Sequence, residues 1–183
     1  MEGHSTGSPH IVDHHAPHSS NINNGDMVLF YALLQACKSK THLRSVSQNI
    51  ISNGFQNHAF LGSHLIRKFA SFGSLYEANR AFDMISNPNK FTWAAIILAN
   101  ANLGDGKKAI DLYHKMLECP SVEPDSHIFV AVIKACGISL CLKEGKFIEN
   151  QINLSERKSN TFIGNALIDM YGKFSLCIDI IDI

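Results

Sequence analysis

Residues 91–125 read FTWAAIILANANLGDGKKAIDLYHKMLECPSVEPD, and they give the clearest indication of the fold class. The apolar run from Phe91 to Leu103 predicts one helix, Gly104 ends it, and Asp105 is placed to cap a second helix. Apolar side chains of the second helix recur with helical spacing: Ala109, Leu112, Tyr113 and Met116. Two prolines then stop this helix, because neither Pro120 nor Pro124 has a backbone N–H to donate. The stretch therefore predicts a helical hairpin.

The rest of the chain repeats this design. FLGSHLI at 60–66 returns as FIGNALI at 162–168, an offset of 162 − 60 = 102 residues, and LQAC at 34–37 is answered by IKAC at 133–136, an offset of 133 − 34 = 99. Periods built from units of about 35 residues indicate stacked supersecondary units. Strand signals are weak throughout. The predicted fold class is therefore all-α, a right-handed α-solenoid of stacked helix-turn-helix repeats.

A second hairpin is predicted around Gly73, which lies 104 − 73 = 31 residues before Gly104. One face of its first helix carries Leu61, Leu65, Ile66 and Phe69. After Gly73, Ser74 and Glu77 predict a capping box, in which each side chain bonds a free backbone N–H at the start of the next helix. The apolar face of that next helix is predicted to hold Leu75, Ala78, Phe82 and Ile85.

Three segments of the opening stretch resemble a pentatricopeptide repeat (PPR): FTWAAII at 91–97, LGDGKKA at 103–109 and the ending VEPD at 122–125. FIGNALIDMYGK at 162–173 is similar to the short motif, and VIKAC at 132–136 to the long motif, of the plant PLS subclass. The resemblance implies these units: 27–58 (long), 59–89 (short), 90–125 (ordinary), 126–160 (long) and 161–173 (partial short). Residues 174–183 lack the glycine turn that would continue the last unit. We therefore expect a truncated product without further repeats and without the C-terminal DYW deaminase-like domain of many PLS proteins.

A PPR array implies sequence-selective binding of single-stranded RNA at one base per repeat. In that family the second residue of a motif wedges between bases, and the fifth and last residues read the base edge. The resemblance implies these RNA-binding residues: Phe60 with Ser63 and Asn89, Phe91 with Ala94 and Asp125, Val130 with Asn160, and Phe162 with Asn165. Ser63 with Asn89 resembles an adenine-leaning combination, whereas Ala94 has no hydrogen-bonding group and should discriminate poorly. The residues alone allow another interpretation of the three phenylalanines, which is packing of one hairpin on the next.

The implied function is organellar RNA editing or processing, with a single-stranded organellar transcript and other RNA-editing or PPR proteins as partners. A TPR-like scaffold that binds a peptide or a partner helix, and a fragment without function, are the alternatives. The Trp-Leu-Gly-Tyr signature of TPR units is absent, and the Pro124-Asp125 ending favours PPR.

Charge neither excludes nor singles out nucleic acid. Sixteen basic and sixteen acidic residues cancel, whereas phosphate binding usually brings an excess of Lys and Arg. A locally basic helix face would suffice, and its candidates are Arg67, Lys68, Lys90, Lys107, Lys108, Lys134 and Lys173. The other interpretation of these side chains is solvated charge on outward faces.

Residues 1–26 are rich in His, Ser, Asn and Gly and are predicted to be disordered. His10, His14 and His18 have helical spacing, but the Gly, Pro and Asn residues around them disfavour the helix that a metal site would need. The first 26 residues contain no Arg, so they do not resemble a transit peptide. Family resemblance nevertheless implies the mitochondrion or the chloroplast.

No catalytic chemistry is predicted. The histidines after residue 26 are dispersed over different units, and no Ser/His/Asp or HExxH pattern is present. Five cysteines without a CxxC pair disfavour both disulfides and zinc, and Cys37 and Cys136 occupy equivalent places that suit helix packing. We expect no enzyme activity, no cofactor, no metal and no small-molecule substrate. The sequence has no apolar run near the ~20 residues that a membrane span needs.

Overall fold

The computed structural model describes residues 24–155 and 160–181, with side chains up to Leu176. These residues form nine helices and no strand: α1 Asn24–Ala36, α2 Lys40–Ser52, α3 Ala59–Ser71, α4 Leu75–Asp83, α5 Lys90–Asn102, α6 Gly106–Leu117, α7 Ser126–Ser139, α8 Leu142–Leu154 and α9 Thr161–Ile181. Within this part of the chain, no helix is both long and apolar enough to cross a lipid bilayer.

Consecutive helices pair as hairpins, and the hairpins stack in chain order. The first helices α1, α3, α5, α7 and α9 form one continuous row, because each contacts the next. Each second helix packs on its own first helix and on the first helix of the following hairpin, as α6 does on α5 and α7. The all-α solenoid predicted from the sequence is confirmed, and its handedness stays a prediction.

The predicted apolar faces form the core. Leu61, Leu65, Ile66 and Phe69 of α3 are all buried, as are Ala109, Leu112, Tyr113 and Met116 of α6. Cys37 and Cys136 are buried in the same core, and burial raises the pKa of the Cys136 thiol to about 12. Both cysteines therefore pack as small apolar side chains, as the sequence predicted.

The turn chemistry agrees with the sequence at three positions and disagrees at one. Gly73 and Gly104 have φ values of 68° and 90°, a left-handed conformation that suits glycine because it has no Cβ. Asp105 accepts a hydrogen bond from the Lys108 N–H at 3.0 Å, which confirms it as a helix cap. The capping box at Ser74 is wrong, because the Ser74 hydroxyl donates to the Glu77 carboxylate and caps no backbone N–H.

The cause of this difference lies in another hairpin. Arg44 of α2 donates to the same Glu77 carboxylate. Because Arg44 binds the Glu77 carboxylate from another hairpin, the Ser74 hydroxyl donates to that carboxylate and does not accept a hydrogen bond from a backbone N–H of α4.

Two predicted boundaries differ from the helices observed. Helix α1 begins at Asn24, so the predicted disorder is wrong for residues 24–26, where Asp26 lies favourably in the positive first turn. The remainder of that segment, with its histidines, lies outside the described residues. Helix α9 runs without a break past residue 173, where the last unit was predicted to end. The division into PLS units stays a prediction.

Candidate nucleic-acid interface

Three of the residues predicted to read bases occupy one repeated structural position. Asn89, Asp125 and Asn160 lie directly before α5, α7 and α9, and their spacings are 125 − 89 = 36 and 160 − 125 = 35 residues. Each uses Oδ1 to accept hydrogen bonds from the backbone N–H groups two and three residues later, at 2.9 to 3.3 Å. The first turn of each helix thus fixes the orientation of the side chain that is predicted to read a base.

The caps leave different groups at the ends of these side chains. In Asn89, Oδ1 accepts three hydrogen bonds, including one from the Thr92 hydroxyl at 3.1 Å, so the amide N–H₂ is the remaining polar group. In Asp125, Oδ1 caps the helix and Oδ2 remains as an acceptor. Asn160 also donates from Nδ2 to the Ser126 hydroxyl at 3.2 Å. Asn89 therefore presents a donor and Asp125 an acceptor.

Three aromatic side chains lie in the first turns of α3, α5 and α9, and those of α5 and α9 come two residues after the Asn89 and Asn160 caps. Phe60, Phe91 and Phe162 are 42%, 54% and 77% exposed. These exposures oppose the interpretation that all three pack one hairpin on the next, although Phe60 does contact the ring of Tyr31 in α1, at 5.3 Å between centroids. The ammonium group of Lys90 lies 5.1 Å from the centre of the Phe91 ring.

The predicted fifth-position residues differ in accessibility. Ser63 is buried, and its hydroxyl donates to the Phe60 carbonyl at 2.8 Å. Ala94 and Val130 are half-buried, and Asn165 is exposed. The structure therefore does not present Ser63 as a base-reading group, because its helix packs tightly on its neighbours and its only donor is already used.

Four of the ten predicted site residues share one groove. Asp125, Val130, Asn160 and Phe162 line an open cleft of about 590 Å³ together with Leu98, Ser126 and His127. Asn89 and Asp125 line an adjoining cleft, which includes Lys90. Phe60 and Ser63 lie one hairpin away in α3, and Asn165 lines neither cleft. The structure thus concentrates the candidate site on α5, α7 and α9.

Sequence reasoning missed His127 and Leu98. His127 is exposed and lies two residues after Asp125, which is where Phe91 lies relative to Asn89. That spacing is a sequence signal that would have found it. Leu98 lies four residues after Ala94 on the same helical face, and only the packing of α5 on α7 shows that it lines the groove.

Several of the candidate basic residues are already engaged. Lys68 donates to the backbone carbonyls of Gln35 and Cys37 at the end of α1, Lys134 donates to Asn102 at 2.7 Å, and Lys173 pairs with Asp169. Arg67, Lys107 and Lys108 are exposed and take part in none of the ion pairs of the described residues. The part of the chain that the structure describes contains no group of three or more His, Cys, Asp or Glu side chains that could hold a metal ion.

One of these hairpins matches a family model built from known proteins. Residues 91–120, which span α5, the turn and α6, match the family model described as PPR repeat. This hairpin is therefore similar to a pentatricopeptide repeat. This is the hairpin that begins after the Asn89 cap and carries Phe91, Ala94 and Leu98.

Similarity to curated proteins extends over most of the chain. It is 30% identical over 177 residues, 94% of its length, to an Arabidopsis thaliana pentatricopeptide repeat-containing protein described as chloroplastic/mitochondrial. It is 31% identical over 149 residues, 80% of its length, to a mitochondrial one from the same plant. A putative chloroplastic one is 28% identical over 157 residues, 86% of this chain. The chain spans only 27%, 19% and 28% of these three relatives.

Proposed function

We propose that this chain is a non-catalytic, sequence-selective module that binds single-stranded RNA along its row of first helices. The observation that carries the proposal is the recurrence of Asn89, Asp125 and Asn160 as helix caps at intervals of 36 and 35 residues, two of them followed by an exposed phenylalanine. Regular spacing of equivalent polar groups suits an extended strand whose bases are splayed out. The relatives' names support a role in mitochondria or chloroplasts, and we propose RNA editing or processing, in a PLS-class protein, as that role.

In this proposal the capping residues Asn89 and Asp125 select between RNA bases. Adenine and cytosine have a ring acceptor on the Watson–Crick edge, whereas guanine and uracil have a ring N–H there. The amide donor of Asn89 should therefore favour adenine or cytosine, and the carboxylate acceptor of Asp125 should favour guanine or uracil. Since each Oδ1 is held by the backbone, neither side chain can rotate to reverse its preference without losing its cap.

The exposed aromatic rings supply sequence-tolerant affinity. Stacking contributes about 1–3 kcal/mol per base, so three such rings would contribute roughly 3–9 kcal/mol before ordering costs are subtracted. Binding at micromolar concentrations is the corresponding expectation. Since Lys68, Lys134 and Lys173 are already engaged within the protein, few of the candidate cations are left to contact phosphates, and the dependence of binding on salt should be shallow.

The first experiment is selection from a random single-stranded RNA pool by the purified chain at low and physiological salt, followed by sequencing. We expect enrichment of a short motif, and Asp125→Asn should change one position of that motif from guanine or uracil to adenine or cytosine. This substitution keeps Oδ1 as the helix cap and replaces only Oδ2, which takes no part in the cap.

Asp111→Asn is the matched control, because Asp111 is an exposed aspartate on α6, which is a second helix. It should leave the enriched motif unchanged. Failure to retain RNA even at low salt would refute the proposal and favour the scaffold that binds a peptide or partner helix. Retention without a change in Asp125→Asn would refute the reading role of the caps.

A further inference from the structure

A hydrogen bond between side chains joins the starts of two neighbouring first helices. Ser126 is the first residue of α7, and Asn160 lies directly before α9. The Asn160 amide donates from Nδ2 to the Ser126 hydroxyl oxygen at 3.2 Å. Both side chains are half-buried and line the open cleft of about 590 Å³. The bond therefore lies on the surface that we propose for RNA.

This bond gives the Asn160 amide a third anchor. Its Oδ1 accepts hydrogen bonds from the backbone N–H groups of Phe162 and Ile163, at 2.9 and 3.3 Å. Because both of these bonds end on the oxygen, by themselves they allow the nitrogen end of the amide to swing about that oxygen. Ser126 holds the nitrogen end. The plane of the amide is therefore fixed, and one Nδ2–H is left for a ligand.

A hydroxyl also anchors the amide of Asn89, but from a different place. The Thr92 hydroxyl, three residues after this cap, donates to Asn89 Oδ1 at 3.1 Å. The residue three after Asn160 is Ile163, which has no hydroxyl. Ser126 supplies that hydroxyl from the preceding hairpin, and it binds the amide nitrogen instead of the oxygen. The two amides therefore differ in the hydrogens that they leave for a base.

Asp125 has no anchor of this kind. Lys90 is the first residue of the predicted unit that ends at Asp125, as Ser126 is of the unit that ends at Asn160. Lys90 and Asp125 line one cleft, but no ion pair of the described residues joins them. The Lys90 ammonium lies over a phenylalanine ring instead. The anchor is thus a property of the Ser126 hydroxyl and not of the first place in a unit.

We propose that Ser126 is a specificity-determining residue, which positions the Asn160 amide so that its remaining Nδ2–H meets the ring acceptor of adenine or cytosine. The inference rests on the proposed RNA-binding function. An amide that could swing would also reach the exocyclic carbonyl of guanine or uracil, which is an acceptor at another place on the base edge. A fixed amide also loses less conformational freedom when it binds the base that suits it. Ser126 thereby raises selectivity through Asn160.

The test compares base selectivity at one RNA position. In the RNA selection, the position read by Asn160 is the one that changes from adenine or cytosine to guanine or uracil in Asn160→Asp. Fluorescence anisotropy then gives the Kd values of two RNAs that differ only there, with guanine in one and adenine in the other. Ser126→Ala should lower the ratio of these Kd values roughly 2- to 12-fold. Ser126→Thr, which has a hydroxyl, should restore the ratio.

Two controls separate positioning from a general effect on the fold. Thr161→Ala removes a hydroxyl from the first residue of α9, and this hydroxyl bonds none of the three capping residues. It should therefore leave the ratio unchanged. In the Asn160→Ala background, Ser126→Ala should have no further effect on the ratio, whereas a disturbed fold would weaken RNA binding in either background.

A second measurement uses the unaltered chain and so does not depend on the folding of variants. The ¹⁵N–¹H nuclear Overhauser effect of the Asn160 side-chain amide should be close to backbone values, because the amide is held at both ends. That of Asn153, which is exposed on the second helix α8, should be lower.

A mobile Asn160 amide, a Kd ratio of one in the unaltered chain, or an unchanged ratio in Ser126→Ala would overturn the positioning role and leave RNA binding intact. Absence of RNA binding by the unaltered chain would refute the proposed function and this role with it.

Discussion

Gly106→Ala tests how closely the hairpins stack. Gly106 is the first residue of α6 and is buried against α7, where an added Cβ would lie 2.6 Å from the Ala135 carbonyl oxygen and 2.4 Å from the Ser139 hydroxyl oxygen. The hydroxyl can rotate away, but the carbonyl belongs to the backbone of α7. Restoring an ordinary contact of 3.4 Å requires a separation of 3.4 − 2.6 = 0.8 Å between the helices.

Overpacking of this kind costs about 1–3 kcal/mol, and the lower backbone entropy of alanine in the unfolded chain offsets about 0.4–1 kcal/mol. The net loss should be about 1–2 kcal/mol, which for a chain of this length lowers Tm by roughly 2–8 °C. Thermal melting followed by far-ultraviolet circular dichroism measures it.

Gly164→Ala is the matched control for this experiment. Gly164 lies inside α9, and an added Cβ there would meet nothing within 4 Å. The same substitution should therefore raise the stability by about 0.4–1 kcal/mol. Equal increases in Tm for the two variants would show that α6 and α7 are not in close contact, and the packing of α6 on the following hairpin would be refuted.

Three further predictions concern side chains that the fold places in special surroundings. The hydrogen bond from Ser74, and then that from Arg44, lowers the pKa of Glu77 from 4.5 to about 2. Because the folded pKa is lowered, this stabilisation is present above pH 4.5 and is lost as the pH falls towards 2. Glu77→Gln should therefore flatten that part of a plot of Tm against pH. The Tyr113 hydroxyl is buried without a hydrogen-bond partner among the described residues, so Tyr113→Phe should raise Tm or leave it unchanged, whereas a lower Tm would indicate a bound water. Asp125→Ala removes the cap and should lower the free energy of unfolding by about 0.5–2 kcal/mol. Asp125→Asn keeps the cap and should melt at the same temperature as the unaltered chain. Equal losses of stability for the two variants in denaturant titrations would contradict the capping role.

The candidate site was predictable where it depends on spacing. The family resemblance implies Asn89, Asp125 and Asn160 as the last residues of their motifs, and all three share one capping geometry because a helix start needs an acceptor for its free N–H groups. The resemblance also implies Ser63, as a fifth residue, but Ser63 is buried. The spacing of residues along a chain does not indicate how much of a helix face the neighbouring helix covers.

Contacts between units escaped prediction for the same reason. The partner of Glu77 is Arg44, 33 residues earlier, and the partner of Lys134 is Asn102, 32 residues earlier. Tyr31 meets Phe60 and His64 only because α1 packs on α3. No local pattern encodes such pairs.

Local sequence patterns were enough to predict the helices, the turns at Gly73 and Gly104 and the apolar faces that form the core. These features depend on interactions within a few residues, or on a periodicity that one helix must satisfy to bury its apolar side. The packing of the hairpins sets which polar groups remain accessible, brings Tyr31 and His64 into contact with Phe60, and places residues of α5, α7 and α9 along one groove. Those outcomes depend on how closely neighbouring helices approach, which side-chain volumes across different hairpins set together.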